Sequence, residues 1–391
     1  MDNEPLSDIR ARRAIPLIAA ALTVIVVAGL IYIRTSAPAS TAVKGAPPVP
    51  TLTGQDSVDY DFISPSLGWA VVVQEQSMPT FWVYATTDGA RSWEKRFTGS
   101  LGQAESATLH FFDRNQGVLY AGVLYRTGDG GAHWSVISVP EATANFVFAS
   151  ATRAWAVASE SDQQATTHLY STVDGGLFWQ RVDWSPPLGV SLYGKGLPMA
   201  LGFRADGEGW TGAAESSPTV YTTRDGGASW RAVALPTPAQ ATPTPFGKGF
   251  LGYNTSVVLI PGNGVIAQVG DYSSSAWTFT SFDRGQSWRL ISPPPSPAQL
   301  GDLSFVDSRH WWASRWGVLF KTSDAGQTWT PVRTVAPDIS GDWTFGPAQV
   351  IDAQHAWLLM SSANRRNSAT GLLMTSDGGV RWTSANVPKP G

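Results

Sequence analysis

The stretch Thr223–Trp230 reads TRDGGASW, and six other stretches of the chain repeat its pattern of Ser/Thr-x-Asp-x-Gly/Ala-x-x-Trp. These are TTDGARSW (86–93), TGDGGAHW (127–134), TVDGGLFW (172–179), SFDRGQSW (281–288), TSDAGQTW (322–329) and TSDGGVRW (375–382). Their shared aspartates are Asp88, Asp129, Asp174, Asp225, Asp283, Asp324 and Asp377, spaced 41 to 58 residues apart. Seven matches at such spacings indicate an internal repeat.

The residue types of this motif suit a tight hairpin. Glycine supplies the positive φ that a short reversal needs, and an aspartate side chain accepts hydrogen bonds from N–H groups of its own turn. The tryptophan then opens the next strand and buries a large ring. The motif tryptophans are Trp93, Trp134, Trp179, Trp230, Trp288, Trp329 and Trp382. Ala90 replaces the second glycine of the first copy, which predicts a turn that is strained or differently shaped.

Each motif lies inside a larger unit that predicts four antiparallel strands. In the fourth unit these strands begin in LGF (201–203), GWTGAA (209–214), TVYTT (219–223) and SWRAVAL (229–235). Four-stranded units repeated seven times are typical of propeller blades. The sequence therefore predicts an all-β, seven-bladed β-propeller over 56–391, with contiguous strands in every blade. Ring closure is expected from packing of blade 1 on blade 7, with help from residues 50–55.

The motif resembles the Asp-box, or BNR, repeat, and the resemblance extends over residues 56–391. The seven segments are here called Asp-box hairpins. Within that superfamily, the chain resembles photosystem II stability/assembly factor-like and sialidase-like propellers. The resemblance implies that the box aspartates and tryptophans are structural. It also implies, for an assembly-factor-like protein, docking or chaperoning of a membrane protein.

The N-terminal region predicts a membrane anchor. Residues 14–33 are twenty uncharged residues, and a helix of that length spans roughly 30 Å, the thickness of a bilayer core. Arginines at 10, 12 and 13 favour a cytoplasmic tail at 1–13 and a propeller on the extracytoplasmic side of the cell membrane. Residues 34–55 are rich in Pro, Ala, Ser and Thr and predict a linker. The alternative is a signal peptide cleaved after Ala37-Pro38-Ala39.

Long, irregular connections are predicted to share the propeller face opposite the Asp-box hairpins, where binding usually evolves. The predicted binding residues are Arg365, Arg366, Arg315, Trp316, Tyr193, Lys195 and Tyr272. Further contact candidates are Glu75, Glu215, Lys248, Tyr253 and Asp271. Two adjacent arginines can hold a carboxylate or an acidic partner. The competing interpretation is an ordinary solvated loop surface.

Composition narrows the function classes. The net charge of −3 offers no basic surface for nucleic acid, and the chain has no cysteine. The five histidines lack ligand spacing, so we expect neither a metal site nor a cofactor. Sialidases need an arginine triad, but no arginine occurs between Arg34 and Arg91. No pair of catalytic carboxylates can be nominated for a glycosidase.

The preferred interpretation is therefore a membrane-anchored, non-catalytic propeller that binds another extracytoplasmic or membrane protein as a scaffold. A glycoside hydrolase and a carbohydrate-binding propeller are the alternatives. Trp316 and Trp184 are the candidates for stacking on sugars in the latter case.

Overall fold

The chain folds into seven separate antiparallel sheets. The computed structural model describes residues 51–53, 56–74, 79–102, 104, 106–140, 143–159, 167–183, 201–212, 214–236, 244–246, 250–270, 276–291, 302–315, 318–332, 343–362 and 369–390. Residues 1–50, which include the predicted anchor, lie outside this part of the chain.

Each sheet is one blade, with its strands in chain order. Blade 1 contains β2 (Ser57–Phe62), β3 (Gly68–Gln74), β4 (Thr80–Thr86) and β5 (Glu94–Ser100). Blade 2 contains β6 (Thr108–Phe111), β7 (Gly117–Tyr120), β8 (Leu124–Thr127) and β9 (Ser135–Ile137). Blade 3 contains β10 (Thr143–Phe148), β11 (Ala154–Ser159), β12 (Thr167–Thr172) and β13 (Gln180–Val182). Blade 4 contains β14 (Leu201–Phe203), β15 (Gly209–Gly212), β17 (Thr219–Thr223) and β18 (Arg231–Ala234).

The last three blades follow the same plan. Blade 5 contains β20 (Phe250–Leu259), β21 (Val265–Gly270), β22 (Ala276–Ser281) and β23 (Arg289–Leu290). Blade 6 contains β24 (Asp302–Phe305), β25 (Trp311–Arg315), β26 (Val318–Thr322) and β27 (Thr330–Pro331). Blade 7 contains β28 (Trp343–Val350), β29 (Ala356–Ser362), β30 (Ala369–Thr375) and β31 (Thr383–Ala385). The prediction of a seven-bladed propeller of four-stranded antiparallel blades is confirmed.

Residues at the end of the predicted linker contribute a strand to blade 7. Strand β1 (Thr51–Thr53) pairs antiparallel with β30, so that Thr51 lies opposite Gly371 and Thr53 opposite Ala369. Strand β31 pairs with the following residues of β30, Leu372 to Met374. The outermost position of blade 7 is therefore shared by two segments from opposite ends of the propeller, which ties the ring closed.

Blade 5 carries two short strands that the repeat pattern does not predict. Strand β19 (Thr244–Phe246) pairs with the start of β20, and β16 (Ala214–Glu215) pairs with the middle of β20. Since β16 follows the second strand of blade 4, this pairing joins blade 4 to blade 5 through backbone hydrogen bonds.

The hydrophobic core lies between the blades. In the part of the chain that the structure describes, seven buried clusters each join one blade to the next, and one of them joins blade 7 to blade 1. A tryptophan of a second strand stacks on a phenylalanine of the following blade's first strand at three interfaces. The ring centroids are 3.6 Å apart for Trp69 and Phe111, 4.0 Å for Trp155 and Phe203, and 3.8 Å for Trp357 and Phe62. Alternation along each strand sends its side chains to both neighbouring blades, so every blade is buried on two faces.

The Asp-box hairpins lie on one face of the ring, together with the turns between first and second strands. In six blades a residue of the hairpin donates its backbone N–H to a carbonyl of that turn in the same blade, as Gly226 does to Gly207 at 3.1 Å and Gly175 to Thr152 at 2.8 Å. This surface is named the Asp-box face. The connections between second and third strands, and those between blades, consequently begin and end at the opposite face.

Candidate functional site

The hairpin at 223–230 shows how the motif closes its turn. Thr223 Oγ1 donates to Asp225 Oδ1 at 2.7 Å and accepts the N–H of Gly227 at 3.0 Å. The same carboxylate accepts the N–H of Ser229 at 2.9 Å and, through Oδ2, the Ser229 hydroxyl at 2.5 Å. A single carboxylate therefore accepts three hydrogens of its own turn, from the Thr223 hydroxyl and from the N–H and hydroxyl of Ser229.

The turn at Ala90 keeps the shape of the glycine-containing hairpins. Ala90 has a φ of 71°, in the left-handed region, whereas the equivalent Gly131 has a φ of 89°. Its N–H bonds to Thr86 Oγ1 at 3.0 Å, like Gly131 to Thr127. The sequence predicts a turn at Ala90 that is either strained or differently shaped. The structure shows a strained backbone and the same shape as the other hairpins. The left-handed conformation costs an alanine roughly 1–2 kcal/mol.

The residue before each motif tryptophan decides how fully the carboxylate is capped. In five hairpins a side chain bonds Oδ2 of the aspartate at 2.5 to 2.6 Å, and these residues are Ser92, His133, Ser229, Ser287 and Thr328. The Ser229 hydroxyl, followed by its N–H, lowers the pKa of Asp225 to about 2. The pKa values of Asp88, Asp129, Asp283 and Asp324 are also lowered to about 2.

Blades 3 and 7 depart from this capping. Phe178 and Arg381 occupy the capping position there, and each donates its backbone N–H to Oδ1, at 3.0 and 2.9 Å. Those N–H groups are the main cause that lowers the pKa of Asp174 and Asp377. Phe178 has no polar side-chain group, so the carboxylate of Asp174 receives no side-chain bond from this position.

The motif tryptophans contribute to packing and to hydrogen bonds. Trp382 is buried, and the other six are half-buried at the blade interfaces. Trp134 and Trp230 donate their indole N–H to a glycine of their own hairpin, at 3.0 and 2.9 Å. Trp93 donates instead to the carbonyl of Asn386 at 2.8 Å and so helps to join blade 1 to the C-terminal segment.

Arginine and lysine side chains near the Asp-box face form contacts between neighbouring blades. Arg126 of blade 2 donates to the carbonyl of Asp174 in blade 3 at 2.8 Å. Lys321 of blade 6 lies 3.9 Å from the ring centroid of Trp312 and donates to the carbonyl of Gly378 in blade 7. Arg284 of blade 5 forms an ion pair with Glu208 of blade 4 at 3.0 Å. These side chains hold adjacent blades together.

Two acids on the innermost strand of blade 1 form a cluster that the sequence interpretation did not nominate. Asp59 and Asp61 accept the N–H groups of Leu109 and Phe111 on the innermost strand of blade 2, at 3.1 and 2.6 Å. These amides belong to the free edge of β6, because Leu109 and Phe111 alternate with residues whose N–H groups face β7. The two carboxylates thus satisfy an edge that no further strand of the described residues covers.

Gln349 extends this cluster to blade 7. Its amide oxygen accepts the N–H of Phe62 at 2.8 Å, and its amide nitrogen donates to Asp61 at 2.6 Å. His110 lies 3.1 Å from the other oxygen of Asp61. This series of hydrogen bonds, from Gln349 through Asp61 to Phe111, therefore connects blades 7, 1 and 2 beside the ring axis.

Burial raises the pKa of Asp59 to about 7, against the opposing hydrogen bond from Leu109. The negative charge of Asp61 adds to the increase. An acid with such a pKa can exchange a proton near neutral pH, which is the property of a general acid or base. The Asp59 carboxylate, however, already accepts the N–H of Leu109, and this bond to the edge of blade 2 accounts for its position.

The predicted binding residues lie mostly outside the described residues. Arg365, Arg366, Trp316, Tyr193, Lys195 and Tyr272 belong to connections whose flanking strands end at the face opposite the Asp-box hairpins. The contact candidates Glu75, Lys248 and Asp271, and the stacking candidate Trp184, also lie outside the described part. Arg315 ends strand β25, opposite Val318 of β26. A binding role for these residues stays a prediction.

The prediction for Tyr253 as a loop contact is wrong. Tyr253 lies in strand β20, opposite Glu215 of β16, and only 2% of it is exposed. Its ring meets that of Trp277 edge-on, with centroids 6.5 Å apart. Glu215 likewise belongs to a paired strand and not to an irregular loop, because the chain between blades 4 and 5 forms extra strands.

In the part of the chain that the structure describes, no three His, Asp or Glu side chains come together in a group that could hold a metal ion. The same part contains no helix that is long and apolar enough to cross a bilayer. Residues 14–33, the predicted anchor, lie outside it.

Comparisons with known proteins find similarities at low identity. No protein-family model matches it. A xyloglucanase of Paenibacillus sp is 26% identical over 196 residues, which are 42% of this chain and 18% of that protein. The chain thus corresponds to less than a fifth of that relative.

Solved structures resemble the chain at low identity. A structure of YCF48 bound to D1 peptide is 17% identical, with a TM-score of 0.48 over 83% of this chain and 99% of that one. The GH74 xyloglucanase from Xanthomonas campestris is 15% identical, with a TM-score of 0.48 over 83% of this chain and 59% of that one. By its own seven sheets and closed ring of interfaces, this chain is a seven-bladed β-propeller.

Proposed function

We propose that this chain is a membrane-anchored, non-catalytic propeller that binds another extracytoplasmic or membrane protein at the face opposite the Asp-box hairpins. The separation of the two faces is the observation that carries the proposal. Every Asp-box hairpin lies on one face, so the ends of the irregular connections gather on the other. A rigid ring that presents variable loops on one side suits recognition of a partner.

The hydrogen bonds that the acidic side chains make within the protein support a non-catalytic role. The box carboxylates are hydrogen-bonded within their own hairpins, and Asp59 and Asp61 bond the backbone of blade 2. Acids and bases that act on a substrate need free access to it. The predicted contacts Arg365 and Arg366 suit an acidic segment of the partner, because adjacent guanidinium groups can bind carboxylates in pairs.

The proposal is tested by crosslinking the full chain in intact cells and identifying captured proteins by mass spectrometry. The variant Arg365→Glu/Arg366→Glu should reduce capture of the main partner at least tenfold while the melting temperature stays nearly unchanged. A matched control, Arg231→Glu/Arg289→Glu, makes the same change in net charge on exposed outer strands and should leave capture intact. Equal capture by both variants would remove the arginine pair from the proposed site.

A carbohydrate-directed function is the second candidate, because a sequence relative is a xyloglucanase. It is assayed by incubating the purified full chain with xyloglucan and measuring new reducing ends and bound polysaccharide. Asp59, with its pKa near neutrality, is the acid to replace by asparagine. Turnover that is lost in Asp59→Asn would make the protein a hydrolase and overturn the scaffold proposal. Binding without turnover would favour a carbohydrate-binding propeller.

A further inference from the structure

The Asp-box hairpin of blade 3 exposes three apolar side chains. Val173, Leu177 and Phe178 are 67%, 74% and 70% exposed. They occupy the second, sixth and seventh positions of the motif TVDGGLFW and are here called the blade-3 tip. Leu177 and Phe178 are the most exposed large apolar residues in the described part of the chain.

The other six hairpins provide an internal comparison. Their sixth and seventh positions read Arg-Ser, Ala-His, Ala-Ser, Gln-Ser, Gln-Thr and Val-Arg, so only blade 3 places two large apolar residues there. Phe178 also occupies the position from which Ser229 and four counterparts cap the carboxylate. Blade 3 thus lacks the side-chain cap of the aspartate and exposes apolar surface in its place. Such surface usually marks a contact with another phase or another molecule.

The blade-3 tip is held in a fixed position. Gly175 donates its N–H to Thr152 at 2.8 Å, Gly176 to the Thr172 hydroxyl at 3.0 Å, and Phe178 to Asp174 at 3.0 Å. Arg126 of blade 2 adds its bond to the Asp174 carbonyl. Each of its three apolar side chains is at least two-thirds exposed, so the tip presents its apolar surface outwards.

The path of the chain indicates what the tip faces. Strand β1 runs antiparallel to β30, and β30 leads directly into the Asp-box hairpin of blade 7. The N-terminal end of β1 therefore points towards the Asp-box face. Between the predicted anchor at 14–33 and Thr51 lie residues 34–50, which can extend to roughly 55 Å. That reach lets any part of the Asp-box face approach the bilayer in which the anchor lies.

We propose that the blade-3 tip inserts Leu177 and Phe178 into the interfacial layer of the lipid bilayer, with the Asp-box face towards the membrane. The inference rests on the proposed membrane anchoring. A bilayer accepts an exposed apolar tip without a complementary cavity, and shallow insertion of Leu and Phe is a common mode of interfacial binding. The anchor raises the effective concentration of the tip at the surface, so a few side chains suffice. This orientation leaves the opposite face free for a partner.

The test uses the absence of cysteine from the chain, which allows a single reporter to be placed. The full chain carries an environment-sensitive dye at Gln180→Cys, next to the tip, or at Thr330→Cys, the equivalent position of blade 6. Gln180 and Thr330 are both exposed and both begin the outermost strand of their blade. Each protein is reconstituted into phosphatidylcholine vesicles that contain a lipid with a nitroxide at its headgroup.

We expect the label at Gln180→Cys to be quenched at least twofold more strongly than the label at Thr330→Cys. Adding Leu177→Ser/Phe178→Ser should abolish the difference without lowering the melting temperature, because both side chains are exposed and a serine at 178 can cap Asp174 as Ser229 caps Asp225. Equal quenching at the two positions, on vesicles that carry the protein through flotation, would overturn the insertion and point to a protein partner for the tip. Loss of the protein from floated vesicles would overturn the anchoring itself, and the insertion with it.

Discussion

A carboxylate at the third position of each Asp-box hairpin is a structural acceptor. Replacing Asp225 by alanine removes the acceptor of the Ser229 N–H and hydroxyl and of the Thr223 hydroxyl. Because this turn is partly exposed, water replaces some of these bonds, and we expect a loss of about 1–2 kcal/mol in the free energy of unfolding. Trp230→Ala should cost more, about 3 kcal/mol, since it removes a large half-buried ring. Chemical denaturation measures both, with Arg231→Ala as an exposed control.

The dependence of stability on pH should show two opposite contributions. The pKa of Asp225 is lowered from 3.8 to about 2 in the folded protein, so its contribution is complete above pH 4 and is lost as the pH falls towards 2. The pKa of Asp59 is raised from 3.8 to about 7, so the folded state binds the extra proton and stability is lost as the pH rises from 4 through 7.

Melting curves of single variants separate the two acids. Asp225→Asn should make the acid limb below pH 4 less steep, because one of the seven box carboxylates no longer titrates there, and should leave the range from 4 to 7 unchanged. Asp59→Asn should narrow the gap in melting temperature between pH 5 and pH 8. A wild-type profile identical to that of Asp59→Asn across this range would show that Asp59 ionises normally.

At the scale of strands and blades, the repeat made most elements predictable. A motif tryptophan, an apolar run before it and a turn upstream fixed four strands in each of seven units. The repeat does not predict strands β1, β16 and β19. Each has only two or three residues, which is too few to show a periodic pattern, and each forms a strand only by pairing with a longer partner strand. The sequence predicts that residues 50–55 help to close the ring, but it does not predict that their partner is β30.

Closure by β1 has a measurable consequence. A fragment of residues 56–391 lacks the pairing of Thr51–Thr53 with β30, whereas a fragment of residues 50–391 keeps it. We expect the shorter fragment to melt several degrees lower, because the outermost position of blade 7 is then covered only by β31. Hydrogen exchange should rise in β30 and at the interface of blades 7 and 1. Equal melting temperatures would show that side-chain packing alone closes the ring.

At the scale of the whole molecule, the sequence predicted which strand ends share a face but not how the acids of the inner strands are used. Asp59 and Asp61 bond backbone amides of blade 2 because the ring places the first strands of blades 1 and 2 side by side. The sequence pattern within one blade does not show which strand of the next blade will lie beside it. The prediction of a loop position for Tyr253 is wrong for a related reason: the long stretch between blades 4 and 5 has the composition of a loop, yet part of it pairs as strands.

We propose a separate role for each face: the Asp-box hairpins stabilise the ring, and a partner is bound on the other face. The crosslinking yield of Asp225→Ala in intact cells, normalised to the amount of folded protein, separates these two roles. We expect a lower melting temperature with an undiminished yield, the reverse of the result for Arg365→Glu/Arg366→Glu. Loss of capture by a folded Asp225→Ala protein would place recognition on the Asp-box face and refute the proposed binding face.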